Sequence, residues 1–461
     1  MSKNNSNEGM TPLESRASAG LSTIFALRML GLFLILPVFA IYAEHLPGGQ
    51  SHLLIGLALG AYGLTQAIFQ IPFGMASDRF GRKRVIYFGL LLFALGSFVA
   101  AGAHTLYMVI FGRALQGSGA VAAAVIALTA DLTREEHRTK AMAMIGVTIG
   151  TTFTVSLIVG PALDHAIGVP GIFALTGVLA FAGMAVLYAI VPNPTETRFH
   201  SDAEMVPARV RDVLRDPQLL RLDFGIFTLH AILTAMFVVI PFALRRTGNL
   251  PVNQHWEVYL PVMLISFALM VPAIIIGEKK GKLKQVLVFA VGLLTFSQFG
   301  LVFLVNNFWG IALLLLAFFI AFNVLEASLP SLISKIAPGA SKGTAIGVYN
   351  TAEFFGAFLG GTMGGFLSGA FGPSAVFLFS GGLAGLWLLM SLTMKTPPKV
   401  SSKMFHLPEM DAKQAQALSD ALAALPGVAE VAVVAEENVA YLKVRSQEWD
   451  EVAALKVITG R

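Results

Sequence analysis

Cysteine is absent from the 461 residues. That excludes disulfides, iron–sulfur clusters, thiolate metal sites and cysteine nucleophiles. Charge is scarce too: Asp, Glu, Lys and Arg make up 13% of the chain, against about 25% in soluble domains. With 56% hydrophobic residues, such a chain is neither disordered nor an ordinary cytosolic enzyme. There is no Walker A loop, no Gly-x-Gly-x-x-Gly after a strand, no His-Glu-x-x-His and no Gly-x-Ser-x-Gly. The reading is therefore of a non-enzyme that uses no ATP, with no cofactor and no metal site expected. What is abundant is apolar: 35 Phe and 45 Gly, with a mean hydropathy of +0.73. A polytopic membrane protein has this composition, because its lipid-facing surface is as apolar as its core. The net charge of +5 is read as membrane topology, not as nucleic-acid binding.

A membrane span needs about 20 apolar residues. Twelve such stretches are expected, at 20–43, 53–76, 85–103, 106–130, 141–163, 171–191, 218–243, 257–277, 285–305, 309–334, 343–369 and 373–394. The first reads as a span, not a cleavable signal peptide, after a polar leader at 1–19. The loops after spans two, four, six, eight and ten hold eighteen Lys and Arg, and the opposite loops only Arg245 and Arg246. The positive-inside rule then puts both termini in the cytoplasm. The longest loop, 192–217, divides a first six-helix bundle (20–191) from a second (218–395). It reads either as a short amphipathic helix on the membrane surface or as a solvated linker. Asp78-Arg79-Phe80-Gly81-Arg82-Lys83-Arg84 is echoed by Glu278-Lys279-Lys280-Gly281-Lys282-Leu283-Lys284, 200 residues later. That is the mark of an internal duplication, with the bundles related by an axis along the membrane normal.

After residue 400 the composition becomes that of a soluble domain. The expected order is a strand at 403–407, a helix at 412–425, strands at 428–435 and 438–445, a helix at 448–454 and a strand at 455–459. This is the β-α-β-β-α-β order of a ferredoxin-like domain. It lacks a Cys-x-x-Cys pair, so a cytoplasmic module that regulates, binds a ligand or self-associates is expected over a metal carrier.

Ionisable residues inside spans are functional candidates by default. His230, Glu326 and Glu353 are the proton-coupling candidates. Asn323 shares a helical face with Glu326, and Asn350 with Glu353. The alternative for each is a structural group bonded across helices. Tyr62, Gln66, Gln70 and Phe73 form a mixed polar and aromatic face suited to a central cavity. Arg82, four residues from Asp78, can also reach Asp131 at the end of span four.

The loop Gly74-Met-Ala-Ser-Asp78-Arg79-Phe-Gly81-Arg82-Lys83-Arg84 fills every position of Gly-x3-Asp-Arg/Lys-x-Gly-Arg-Arg/Lys. It resembles the signature loop of the major facilitator superfamily. Arg113-Ala-Leu-Gln116-Gly117 resembles that family's span-four motif. Gly146, Gly150, Gly160 and Pro161 resemble the span-five motif of its drug–proton antiporters. The resemblance covers about residues 20–395. It implies an all-α twelve-helix fold with a central site and alternating access, and a bacterial inner-membrane exporter of small hydrophobic or amphipathic compounds, coupled to protons. It places Asp78 against the start of span eleven, around Ser341-Lys342-Gly343, as a gating latch, and gives Arg113 the role of tuning a nearby acid. A metabolite importer and a non-transporting membrane sensor that signals through the tail are the competing readings.

Overall fold

The computed structural model describes residues 9–194, 206–396, 401–408, 410–435, 438–445 and 448–459. Eleven helical stretches are long and apolar enough to cross a membrane. The fifth, Lys140–Ala189, has 50 residues and would be about 75 Å long if straight, more than twice a bilayer's hydrocarbon core. It turns back at Gly168, where φ is 67° and ψ 169°, a conformation that favours glycine. The contacts with the first helix show the reversal. Phe33 meets Phe153 and Leu34 meets Gly160 on one arm, while Phe39 meets Phe173 and Gly20 meets Val191 on the other.

Counting the two arms separately gives twelve crossings. They are α1 (Pro12–Ala43), α2 (His52–Phe80), α3 (Arg82–Ala101), α4 (Leu106–Asp131), α5 (140–167), α6 (169–189), α7 (Pro217–Gly248), α8 (Val252–Lys279), α9 (Leu283–Leu304), α10 (Phe308–Ile336), α11 (Lys342–Phe371) and α12 (Pro373–Leu392). The end where α2 passes into α3 is called the basic end below. α1 begins eight residues before the apolar stretch does. Thr11 and Glu14 form a capping box there, and Pro12 fills the first helical position. Glu14 then binds Arg134 at the end of α4, with Nε to Oε1 at 2.9 Å. The duplication has a backbone signature as well: Gly81 and Gly281 end α2 and α8 with φ of 95° and 65°.

Of the 192–217 connection, 195–205 lie outside the described residues. The rest gives a single helical turn, Val210–Val213. It is tied to α11 by the Val206 N–H, which donates to Thr344 Oγ1 at 2.9 Å.

The tail differs from expectation at its end. Strands β1 (Ser401–His406), β2 (Val428–Val434) and β3 (Val439–Val444) form an antiparallel sheet in the order β1-β3-β2. α13 (Ala412–Ala423) packs against β2. The last segment, α14 (Glu451–Thr459), is helical where a fourth strand was expected. Asp450 accepts from the Val452 and Ala453 N–H groups and starts the helix. Ala454, Val457 and Ile458 then recur at helical spacing on the face that meets the small core. The ferredoxin-like reading is corrected to a three-stranded α+β module within the described residues.

Candidate functional site

A cavity of about 2500 Å³ lies between α1–α6 and α7–α12 and runs to the basic end. At the opposite end the halves are sealed by backbone contact. Gly56, Gly60 and Gly63 of α2 face Phe354, Phe358, Gly361 and Gly365 of α11. A Cβ on Gly56 would lie 2.0 Å from the Gly361 carbonyl oxygen. His52 Nδ1 lies 3.2 Å from Ser368 Oγ, and Arg245 pairs with Glu44 at 2.9 Å. At the basic end Asp131, Arg134 and Arg138 line one wall and Lys335 and Lys342 the other, with the tail across the mouth. Lys443 on β3 donates to the Ile336 carbonyl at 3.2 Å, and Tyr441 packs on Gly339.

Midway along the cavity the three intramembrane titratable candidates meet. His230 (α7) lies 3.4 Å from Glu353 (α11), Nε2 to Oε1. Glu326 (α10) completes a group whose ligating atoms all lie within 4.8 Å of one another. Asn323 and Asn350 line the same wall, and Asn323 donates to Ser266 Oγ at 2.9 Å.

On the facing side Arg113 lines the cavity and Arg28 is buried behind it. Arg113 and Arg28 both lie over the Tyr62 ring, 5.0 and 5.8 Å from its centroid. Arg28 donates from Nη2 to Tyr62 Oη at 2.7 Å and also to Gln66 Oε1. Gln66 donates to Gln70 at 2.8 Å. Arg113 donates to Gln116 Oε1 at 2.9 Å, and Gln116 to Ser97 at 2.7 Å. Gln66 and Gln70 are thus buried inside the α1–α6 half and do not line the cavity; of that face only Tyr62 does, while Phe73 stacks on Phe88. Gly117 presses on α2, where a Cβ would meet the Tyr62 carbonyl oxygen at 2.2 Å.

At the basic end Arg82 is buried between two acids, pairing with Asp78 and, through Nε, with Asp131 at 3.1 Å. Ser77 accepts from its Nη1 at 2.9 Å. Gly74 packs on Ala123, and Arg79 lies over Phe80. Lys83 caps α6 instead, donating to the Leu187 and Val191 carbonyls at 3.2 and 2.5 Å. In the span-five motif Gly160 packs closely on Leu34, with Pro161 next to it inside the helix, whereas Gly146 and Gly150 face the open cavity.

The family model of the Major Facilitator Superfamily matches residues 21–361 and 262–408. The chain belongs to the major facilitator superfamily. It is 47% identical over 438 residues to the inner membrane transport protein YajR of Escherichia coli (strain K12), covering 95% of this chain and 96% of that one. The quinolone resistance protein NorA of Staphylococcus aureus (strain MRSA252) is 27% identical, over 78% of this chain and 92% of NorA. Among solved structures, a bacterial homologue of the human lysosomal transporter Spinster superposes with a TM-score of 0.64 at 14% identity, covering 83% of this chain and 95% of that one. The protein is a membrane-spanning transporter of this superfamily and not an enzyme.

Two buried ionisable residues are not among the candidates named above. Arg28 is one, although a cation in the middle of an apolar stretch is a functional signal by itself. Asp223 on α7 is buried, and neither carboxylate oxygen has a hydrogen-bond partner among the described residues. Its signal, an acid at the start of an apolar span, is weaker.

Proposed function

We propose that the protein is a proton-coupled exporter of small hydrophobic or amphipathic compounds, working by alternating access in a bacterial inner membrane with the basic end cytoplasmic. The observation that carries this is the convergence of His230, Glu326 and Glu353 on one wall of the cavity between the halves. Acids there can exchange protons with whichever side the cavity faces, while the apolar residues around them receive the compound. The similarity to a quinolone resistance protein supports export. The test is flux of a fluorescent hydrophobic dye into proteoliposomes under an imposed pH gradient. Transport that follows the gradient supports the reading; the absence of any flux, with ligand still bound, points to a sensor. The tail across the mouth gives such a sensor, or a regulated transporter, its output surface.

The orientation rests on the loop charges. A cysteine in place of Thr247, near the end of α7 away from the basic end, should react with a membrane-impermeant maleimide added to intact cells. Labelling only in inverted vesicles would reverse the topology.

In this structure the basic end is open, and Asp78 is paired with Arg82. Closing that end would bring Asp78 to the N-terminus of α11, where free N–H groups and the helix dipole favour an acid. A charge-assisted hydrogen bond contributes about 1.5–3 kcal/mol. Asp78→Asn should therefore shift the balance about tenfold or more toward the open form, with turnover slowed and the protein still folded. Trypsin cleavage of the tail linker and transport rate report the two effects; neither changing would leave Asp78 as a topology charge.

A further inference from the structure

In the His230–Glu326–Glu353 group, whose ligating atoms lie within 4.8 Å of one another, one pair has the separation of two ligands on one ion. Two atoms held ~2.0–2.1 Å from one ion at a tetrahedral angle lie about 3.3 Å apart. His230 Nε2 and Glu353 Oε1 are 3.4 Å apart, so this pair already has that separation. The other imidazole nitrogen, Nδ1, lies 3.3 Å from the Ile226 carbonyl oxygen. Such a contact orients a ligating histidine and leaves Nε2 for the ion. Glu326 Oε2 is buried without a hydrogen-bond partner among the described residues. Tyr349 is 4% exposed, and its hydroxyl, without a hydrogen-bond partner among the described residues, belongs to the same wall. The three residues come from α7, α10 and α11, and all line the cavity.

We propose that this triad binds one divalent transition-metal ion of the zinc or cobalt class. One imidazole and two carboxylates suit such an ion. Calcium and magnesium favour all-oxygen shells, and thiophilic copper(I) would find no thiolate in this chain. Two carboxylates balance the charge of M²⁺, and an uncompensated charge would be costly in the membrane interior. The inference rests on the reading of this cavity as the transport site.

The test uses the full-length protein in detergent, titrated with CoCl₂. The expected result is one ion per chain with the strong visible absorption of four- or five-coordinate cobalt, displaced by ZnCl₂. Glu326→Gln and Glu353→Gln should each weaken binding by about tenfold or more. His230→Gln should change the spectrum, and Glu430→Gln in the tail should change nothing. No binding by the unaltered protein, no displacement by zinc, or binding unchanged in all three triad variants would overturn the proposal, the last showing an adventitious ion only. Cobalt binding and zinc displacement are read on the unaltered chain, so a variant that fails to fold leaves the test intact. Gradient-driven dye flux without metal binding refutes this inference alone; metal binding without gradient-driven flux refutes the transport reading alone.

Discussion

Under the proposed proton coupling a pH gradient should stimulate the unaltered protein, and proteoliposomes containing Glu353→Gln should lose that stimulation. A gradient of two pH units is worth about 2.7 kcal/mol per proton, or roughly hundredfold in accumulation when one proton is exchanged per substrate. Glu353 is the acid that touches both His230 and the cavity. Replacing its carboxyl by an amide keeps the shape and removes the exchangeable proton. Accumulation should fall from about hundredfold to about the level reached without a gradient, while dye binding persists. Glu326→Gln should show the same loss in part, because Glu326 shares the group but makes no ion pair with His230 among the described residues. Full gradient-driven transport in both variants and in the double variant would move the coupling acid elsewhere, with buried Asp223 next in line.

The second large effect is steric. The sealed end depends on glycine, since a side chain at Gly56 would lie 2.0 Å from the Gly361 carbonyl oxygen and one at Gly365 would lie 2.2 Å from the His52 carbonyl oxygen. Both obstacles are backbone, which cannot step aside as a side chain can. Overpacking of this kind costs about 1–3 kcal/mol or more, so Gly56→Val should reduce the state sealed at that end by about tenfold to hundredfold. The protein would be held open at the end away from the basic end, its transport would fall in proportion, and a cysteine at Ser368 would become reactive from that end. Gly292→Ala is the control, because nothing lies within 4 Å of its added Cβ. Unchanged transport and unchanged Ser368Cys labelling in Gly56→Val would show that the α2–α11 contact opens and closes by another route.

Local features were the most legible in the sequence. The Asp78–Arg82–Asp131 cluster was readable because a four-residue spacing and a loop motif fix it within one half. The hydrophobic runs gave the spans, and two of them follow each other directly across the reversal at Gly168. Burial within a bundle was less legible. Gln66 and Gln70 share the Tyr62 face of α2, yet Arg28 of α1 covers that face and turns the glutamines inward. The sequence of α2 carries no sign of the neighbour that decides this. The triad shows the same limit. His230, Glu326 and Glu353 could each be singled out by depth, but their meeting is a product of three helices packing, and no spacing along the chain encodes it. In the tail, Leu455–Thr459 is short and apolar enough to read as a strand, and the Asp450 cap together with the Ala454–Val457–Ile458 spacing decides for a helix.

The central claim is that proton occupancy of this triad sets which end of the cavity is open. The most direct test is the distance between spin labels at Arg84 and Lys282, at the starts of α3 and α9 on opposite halves, measured in nanodiscs at acid and alkaline pH. The account predicts two distances whose proportions change with pH in the unaltered protein and stay fixed in Glu353→Gln with Glu326→Gln. A pH response that persists in that double variant, or one unvarying distance in the unaltered protein, would contradict it.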